Sequence, residues 1–294
     1  MPIAIIINPI SGGSRQPPGE ERAELAALTV ERLGEAADIL LTEHHGHARL
    51  LAAAAVRRGA RLVIAWGGDG TINEVASELA FSEVPLGIVP AGSGNGLASE
   101  LGIDARPDAA IASAVRAAPR AIDLGELGNR LFVNLAGIGI DAHVAAGFNA
   151  AKNRRRGFAS YLRIGIQALL SYPAATYRIV ADGSELTATA VLIALANSAQ
   201  YGNGARIAPG ARIDDGCLDL VVVEERSRFL TCLQAPRLFN GTAAKVPGYS
   251  MRPFREVRIE SERPIAFHVD GEPVEGPSAL TARVHPGALR ICIK

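Results

Sequence analysis

The segment Leu62-Val-Ile-Ala-Trp-Gly67-Gly68-Asp69-Gly70-Thr71-Ile-Asn73-Glu-Val runs a continuous apolar stretch into three glycines and an aspartate, then into apolar residues spaced i, i+3, i+4. This pattern reads as a strand, a tight loop and a helix N-terminus, where exposed backbone N–H groups favour phosphate oxygens. Thr71 can cap the helix or touch the ligand. A carboxylate beside polyphosphate is repelled unless a divalent cation or a proton transfer compensates, so Asp69 points to Mg2+ or to an acidic network. Asn8-Pro9-Ile10-Ser11-Gly12-Gly13 repeats the theme: Asn8 and Ser11 offer side-chain donors, while Gly12 and Gly13 admit close approach of a ligand. A third loop, Pro90-Ala91-Gly92-Ser93-Gly94-Asn95-Gly96, places Ser93 and Asn95 ahead of another helix start. Loops of this kind on neighbouring parallel strands form a cleft at the carboxyl edge of a sheet. A fourth segment, Val269-Asp270-Gly271-Glu272-Pro273, carries two carboxylates two residues apart, which share a face if the segment is a strand. They are candidates for acid–base work; a plain Asp-Gly hairpin turn is the alternative.

The elements that must position these residues change character along the chain. Residues 1–121 alternate short apolar runs with helical patterns, which indicates an α/β domain with a parallel sheet covered on both faces. Residues 122–283 are mostly alternating or β-branched segments joined by Gly, Asp and Pro turns, the pattern of an antiparallel β-sandwich or barrel. Residues 284–294 are a candidate to rejoin the first domain. Helical patterns also occur around Ala159–Ser171 and over residues 227–245, the latter ending near Asn240-Gly241.

Composition narrows the function classes. Thirty basic residues balance thirty acidic ones in 294, so no global basic field of the kind nucleic-acid binding needs is present. Cys217, Cys232 and Cys292 are odd in number and form no CxxC pair, which argues for reduced thiols in a cytoplasm rather than a disulfide framework or structural zinc. The apolar N-terminus reads as a first strand rather than a signal peptide. No apolar run reaches the roughly 18 residues of a membrane span, so membrane contact would be peripheral, at the inner face. Lys152–Gly157 is a basic cluster before an amphipathic stretch, suited either to anionic headgroups or to a charged turn. His44, His45 and His47 read as a solvated loop, and His143 and His268 as structural, since neither has a readable partner.

Taken together, "NPISGG", "GGDGTINEV", "PAGSGNGLA", "GIGIDAHV", "IAPGARIDDGCLDLVVV" and "VDGEP" occur in the order found in the diacylglycerol kinase catalytic-domain family, which this chain resembles over essentially its whole length. The family includes bacterial lipid kinases and sphingosine and ceramide kinases. The resemblance implies ATP- and Mg2+-dependent phosphorylation of a lipid hydroxyl, diacylglycerol or sphingoid-type, in a cleft between an α/β domain and a β-sandwich domain. It implies that Asn8, Pro9, Ser11, Gly12, Thr42, Gly67, Gly68, Asp69, Gly70, Thr71, Asn73, Ser93 and Asn95 contact ATP. Asp270 and Glu272 would supply the catalytic carboxylate, leaving open which one accepts the proton, and Asp69 would act with them. Asp123 would join Asp69 in the acidic network around the metal, and backbone carbonyls of Arg212, Asp215 and Cys217 would hold a second, structural Mg2+. A homodimer is consistent with the family.

Two departures from the bacterial diacylglycerol kinase pattern stand out. The lysine common after the first glycine is replaced by Gly13-Ser14, with Arg15 as a substitute charge, and the third loop has the "GSGN" form of sphingosine and ceramide kinases. The competing readings are a small-molecule kinase of the NAD kinase or phosphofructokinase type and a nucleotide- or lipid-binding protein without catalysis. Under the kinase reading, Asp69→Ala and Asp270→Ala are expected to abolish turnover with little unfolding.

Overall fold

The computed structural model describes residues 2–13, 17–150, 172–202, 204–226, 234, 237 and 241–293. The helical pattern at Ala159–Ser171, the Lys152–Gly157 cluster, Arg15 and Cys232 lie outside the described residues. Of the helix expected over residues 227–245, the described part holds a helical residue at Gln234, a 3-10 residue at Arg237 and a 3-10 turn at Ala243–Lys245. The chain divides into two compact units, one of residues 1–122 with 287–294 and the other of residues 123–286.

The first unit is α/β. Strands β1 (Ile3–Ile7), β2 (Ala37–Leu41), β3 (Leu62–Gly67) and β4 (Leu86–Pro90) are parallel in the order β2-β1-β3-β4. Every residue of β1, β3 and β4 is buried, as a strand covered on both faces requires, whereas edge strand β2 is half-exposed. Helices α1 (Gly19–Arg32), α2 (His47–Arg57), α3 (Asp69–Leu79), α4 (Gly96–Glu100) and α5 (Pro107–Arg116) fill the connections. Pro107 opens α5, where its missing N–H costs nothing. Gly87 on β4 lets α5 pack close, since a Cβ there would lie 2.8 Å from that of Ala114.

Strand β5 (Pro119–Leu127) leads into the second unit, which is antiparallel. It contains β6 (Arg130–Phe132), β7 (Leu135–Gly139), helix α6 (Ile140–Ala150), β8 (Ala175–Ala181), β9 (Ser184–Ala196), β10 (Gln200–Gly202), β11 (Ala205–Arg206) and β12 (Leu218–Glu224). After these come β13 (Tyr249–Phe254), β14 (Glu256–Ser261), β15 (Ala266–Val269), β16 (Glu272–Glu275) and β17 (Ala279–Cys292). Thirteen-residue β9 is central: β8, β7 and β12 all pair with it. Burial alternates along β8 and β14, so one sheet face meets the core and the other meets water. Phe132, Phe254 and Phe267 anchor that core. The last strand begins in this unit, pairing with β14, and its Ile291 sits beside Leu86 of β4 in the first, where it extends the parallel sheet. The α/β-plus-antiparallel architecture expected from the sequence is therefore present.

Glu126 on β5 clamps β17 within the second unit. Its carboxylate accepts Arg283 Nε and Nη2 at 3.1 Å each and lies 2.6 Å from His285 Nε2. Arg283 is the main cause holding the Glu126 carboxyl below its usual range. A carboxyl depressed in the folded state contributes stability above its unfolded pKa and loses it as pH falls through the folded one. Glu126→Gln is therefore expected to lower stability at neutral pH and flatten the acid limb of the stability–pH curve, as read by urea unfolding at successively lower pH. An unchanged acid limb would show that the clamp is energetically silent.

Candidate functional site

Parallel order brings the expected loops of the first unit to one edge. Thr42, Asn8, Gly68 and Ala91 directly follow β2, β1, β3 and β4, and the ladder continues one step into Thr42, Asn8 and Ala91. Thr42 N–H donates to Ile7 O at 2.9 Å, Asn8 N–H to Trp66 O at 2.9 Å and Ala91 N–H to Gly67 O at 2.8 Å. This is the carboxyl edge, the usual ligand position in an open α/β sheet.

The loops then lock onto one another. Asn8 Nδ2 donates to Thr71 Oγ1 at 2.9 Å, joining the first loop to the second. Asp69 joins the second to the third: its Oδ2 accepts Asn95 N–H and its Oδ1 accepts Gly96 N–H, both at 2.9 Å. Asn95, at φ +48, folds back so that Oδ1 accepts Gly92 N–H at 2.8 Å. The glycines permit this contact, since a Cβ on Gly92 would fall 2.7 Å from the Cα of Gly68. Helix α3 starts at Asp69 with Gly68 as its N-cap, so Thr71 lies inside the helix rather than capping it. Thr71 and Asn73 are buried, while Ser93, Gly12 and Gly13 are exposed. Asn8, Gly67, Gly68, Asp69, Thr71 and Asn95 are thus brought together, with Pro9, Ser11 and Gly70 on the same loops.

In the second unit, Asp270 and Glu272 do not share a strand face. Asp270 and Gly271 form the turn between β15 and β16 at φ +46 and +86, so the two-residue parity expected of a strand does not apply. The Asp270 carboxylate turns back on the main chain before β7: Oδ2 accepts Val133 N–H at 2.8 Å, and Oδ1 accepts Asn134 and Leu135 N–H at 3.0 Å each. Asp270 N–H in turn donates to Leu135 O at 2.9 Å. Asp270→Ala would therefore strip three N–H groups of their acceptor, which argues against the expectation of little unfolding. Asp69→Ala, which strips two, falls under the same argument.

Two groups that sequence reasoning passed over support this turn. His268 has a partner after all: Nε2 lies 2.7 Å from Asp141 Oδ2, with both side chains 3% exposed, and Nδ1 accepts Gly271 N–H at 3.2 Å. Gly137 leaves room for the pair, since a Cβ there would lie 1.9 Å from Asp141 Oδ2. Asn197, fully buried, donates from Nδ2 to Asp123 O at 2.8 Å and to Val133 O at 2.7 Å. Aspartate within "GIGID" and asparagine within "LANS" were the only signals, and neither spacing names a partner.

Asp123, assigned to the acidic network, bonds to the segment proposed for the structural metal. Asp123 is 3% exposed; its Oδ2 accepts Gly216 N–H at 2.7 Å, and its own N–H donates to Ile213 O at 2.8 Å. Asp215 Oδ1 accepts Cys217 N–H at 3.1 Å. Asp219, missed by the sequence reading, is half-buried; burial first and Asp215 second push its carboxyl up to about 6.

Comparison with known proteins fixes the family. Residues 2–127 match the model of the diacylglycerol kinase catalytic domain, and residues 134–293 match that of the YegS C-terminal NAD kinase beta sandwich-like domain. A "Probable lipid kinase YegS-like" of Chromohalobacter salexigens is 33% identical over 270 residues, covering 88% of this chain and 85% of the relative. The chain belongs to this family of lipid kinases. A relative of the same name from Pseudomonas aeruginosa PAO1 is 33% identical over 275 residues, covering 93% of this chain and 90% of its own. Two solved structures from Bacillus anthracis str. Sterne have TM-scores of 0.80 and 0.75 at 21% and 19% identity, covering 100% of this chain and 97% of theirs. The second is described as a diacylglycerol kinase, and both show the shared fold. Within the family frame, the loops at the β1, β3 and β4 edge fall in the kinase catalytic domain and the Asp270 turn in the sandwich-like domain.

Leaving three N–H groups without an acceptor should make Asp270→Ala less stable by roughly 3 kcal/mol, given about 1 kcal/mol or more per lost bond. Asp270→Asn keeps an acceptor oxygen and tolerates positive φ, so its loss should be smaller. Urea unfolding of the purified variants measures both, and wild-type stability for Asp270→Ala would overturn the anchoring role.

Proposed function

We propose that this chain is an ATP- and Mg2+-dependent kinase acting on a lipid hydroxyl, diacylglycerol or sphingoid-type, at a membrane surface. The observation that carries the proposal is the set of three loops at one carboxyl edge, held together by Asp69 and opened to close approach by Gly68 and Gly92. Backbone N–H groups and the start of α3 there suit the phosphates of ATP. Ser11, Thr42 and Ser93 are candidates to add side-chain hydrogen bonds around them, while Asn8, Thr71 and Asn95 hold the loops in shape.

The acidic segments fit a hard cation. The 212–217 loop offers carboxylate and carbonyl oxygens, the donor set Mg2+ prefers, and a cation there would relieve the repulsion between Asp215 and Asp219. Mg2+ held there would stiffen this loop as a structural ion, while a separate Mg2+ accompanying ATP would neutralise phosphate charge. Asp123, through its hold on Gly216 and Ile213, keeps the loop in shape. The Asp270-Gly271-Glu272 turn supplies the carboxylate that takes the lipid hydroxyl proton as the hydroxyl attacks the γ-phosphorus. Its backbone is braced by the 133–135 segment and by the His268–Asp141 pair.

No described helix is long and apolar enough to cross a membrane. Lipid access is accordingly proposed as peripheral, from the cytoplasmic face, with a homodimer as the assembly.

Purified protein incubated with labelled ATP, Mg2+ and separate vesicles or micelles of diacylglycerol, monoacylglycerol, sphingosine, ceramide and phosphatidylglycerol should label one lipid. Label on NAD instead of a lipid would overturn the substrate class, and ATP binding without any product would overturn catalysis. The double variant Asp270→Asn/Glu272→Gln should lose roughly 100-fold or more in kcat, the usual contribution of a general base. Near-normal turnover by that variant would remove the turn from the chemistry.

A further inference from the structure

Arg22, in the first turn of α1, is 1% exposed, a rare state for an arginine. Its guanidinium is spread over the main chain of the first loop and its exit: Nη1 donates to Asn8 O at 2.9 Å, Nη2 to Ser11 O at 2.8 Å and Nε to Pro17 O at 2.8 Å. Among the described residues no carboxylate pairs with it, and burial lowers its pKa. Burying a cation without a counter-charge is unfavourable, and three carbonyl dipoles only partly offset that.

The same carbonyls could be satisfied by neutral donors, or a carboxylate could be packed alongside. What arginine adds is a net positive charge fixed behind the Asn8–Gly13 loop. It also draws the carbonyls of Asn8 and Ser11 inward, turning the negative ends of those peptide dipoles away from anything seated on the loop. Exposed Gly12 and Gly13, at φ +78 and +57, shape the rest of the loop. The arrangement is a cationic backing to an anion cradle in a loop that lacks the lysine expected after its first glycine.

We propose that Arg22 is a positioning residue for the phosphate donor: its buried charge holds the Asn8–Gly13 loop in shape and supplies the counter-charge to a polyphosphate bound there. This rests on the nucleotide reading of the first-unit loops. Occupancy of the site completes an electrostatic balance that the free protein leaves open.

Calorimetric titration of the full chain with tripolyphosphate and with adenosine tests this, using Arg22→Lys and Arg22→Gln. Arg22→Gln should weaken tripolyphosphate by roughly tenfold or more, as for one unit charge acting through protein, while adenosine affinity stays within about twofold. Arg22→Lys, which keeps the charge on fewer bonds, should recover most of the polyphosphate affinity. Equal weakening of both ligands by Arg22→Gln, or no recovery by lysine, would reduce Arg22 to a structural clamp and overturn the proposal. If neither variant folds, the slowly exchanging Nε–H resonance of the buried guanidinium in wild-type protein serves instead. A shift on adding tripolyphosphate but not adenosine supports the proposal, and no shift overturns it. Failure of wild-type protein to bind ATP or tripolyphosphate would sink the nucleotide reading itself, an outcome separate from normal wild-type binding with an indifferent Arg22→Gln.

Discussion

The bond pair from Asp69 to the amides of Asn95 and Gly96 is the constraint around which the first unit's functional edge is arranged. Neighbouring parallel strands deliver the β3 and β4 loops side by side, but adjacency alone does not fix their separation. The backbone contact between Gly68 and Gly92 lets one short carboxylate span both. Helix α4 is only five residues long, too short to hold its own N-terminus by propensity, so the anion at its start does part of that work. Asn8, bonded to Thr71, then ties the first loop of the edge to the same point.

Asp270 repeats the device in the second unit. There a carboxylate again receives main-chain amides from a distant segment, fixing an Asp-Gly turn with both residues at positive φ. Around it, buried polar groups answer one another: Asn197 binds Asp123 and Val133 carbonyls, Ser198 bonds to Asn134, and His268 stands between Asp141 and Gly271. Buried polar pairings of this kind favour one geometry where an apolar core would permit several.

The parts legible in the sequence were those whose cause is local. Apolar runs such as Ile3–Ile7 and Leu62–Trp66 state a doubly covered strand outright, and a glycine cluster after such a run states where a loop must approach something closely. Alternation along Ala175–Ala181 states a half-buried antiparallel strand. What stayed hidden was set by pairings remote in sequence. His268 and Asp141 carry no spacing relation, Arg22 looks like any helix-surface arginine beside Glu20 and Glu21, and Asp219 looks like an ordinary strand residue. The Asp270–Glu272 parity argument failed for a different reason: period two holds only inside a strand, and left-handed residues at a turn reset where a side chain points.

The double use of carboxylates bears on how the proposed chemistry is driven. An aspartate whose oxygens already receive amide protons is a poor strong base but a good fixed charge. Phosphoryl transfer asks little of a base, because its transition state is loose and the attacking oxygen carries its proton late; alignment and charge neutralisation dominate. Under the proposed chemistry, committing Asp69 and Asp270 to the backbone trades base strength for geometry, with Glu272 as the other carboxylate of the turn. The same commitment means that loss of turnover after truncating either aspartate reports on loop and turn architecture together with chemistry. Conservative, acceptor-preserving replacements at Asp270, read beside Glu272, separate the two.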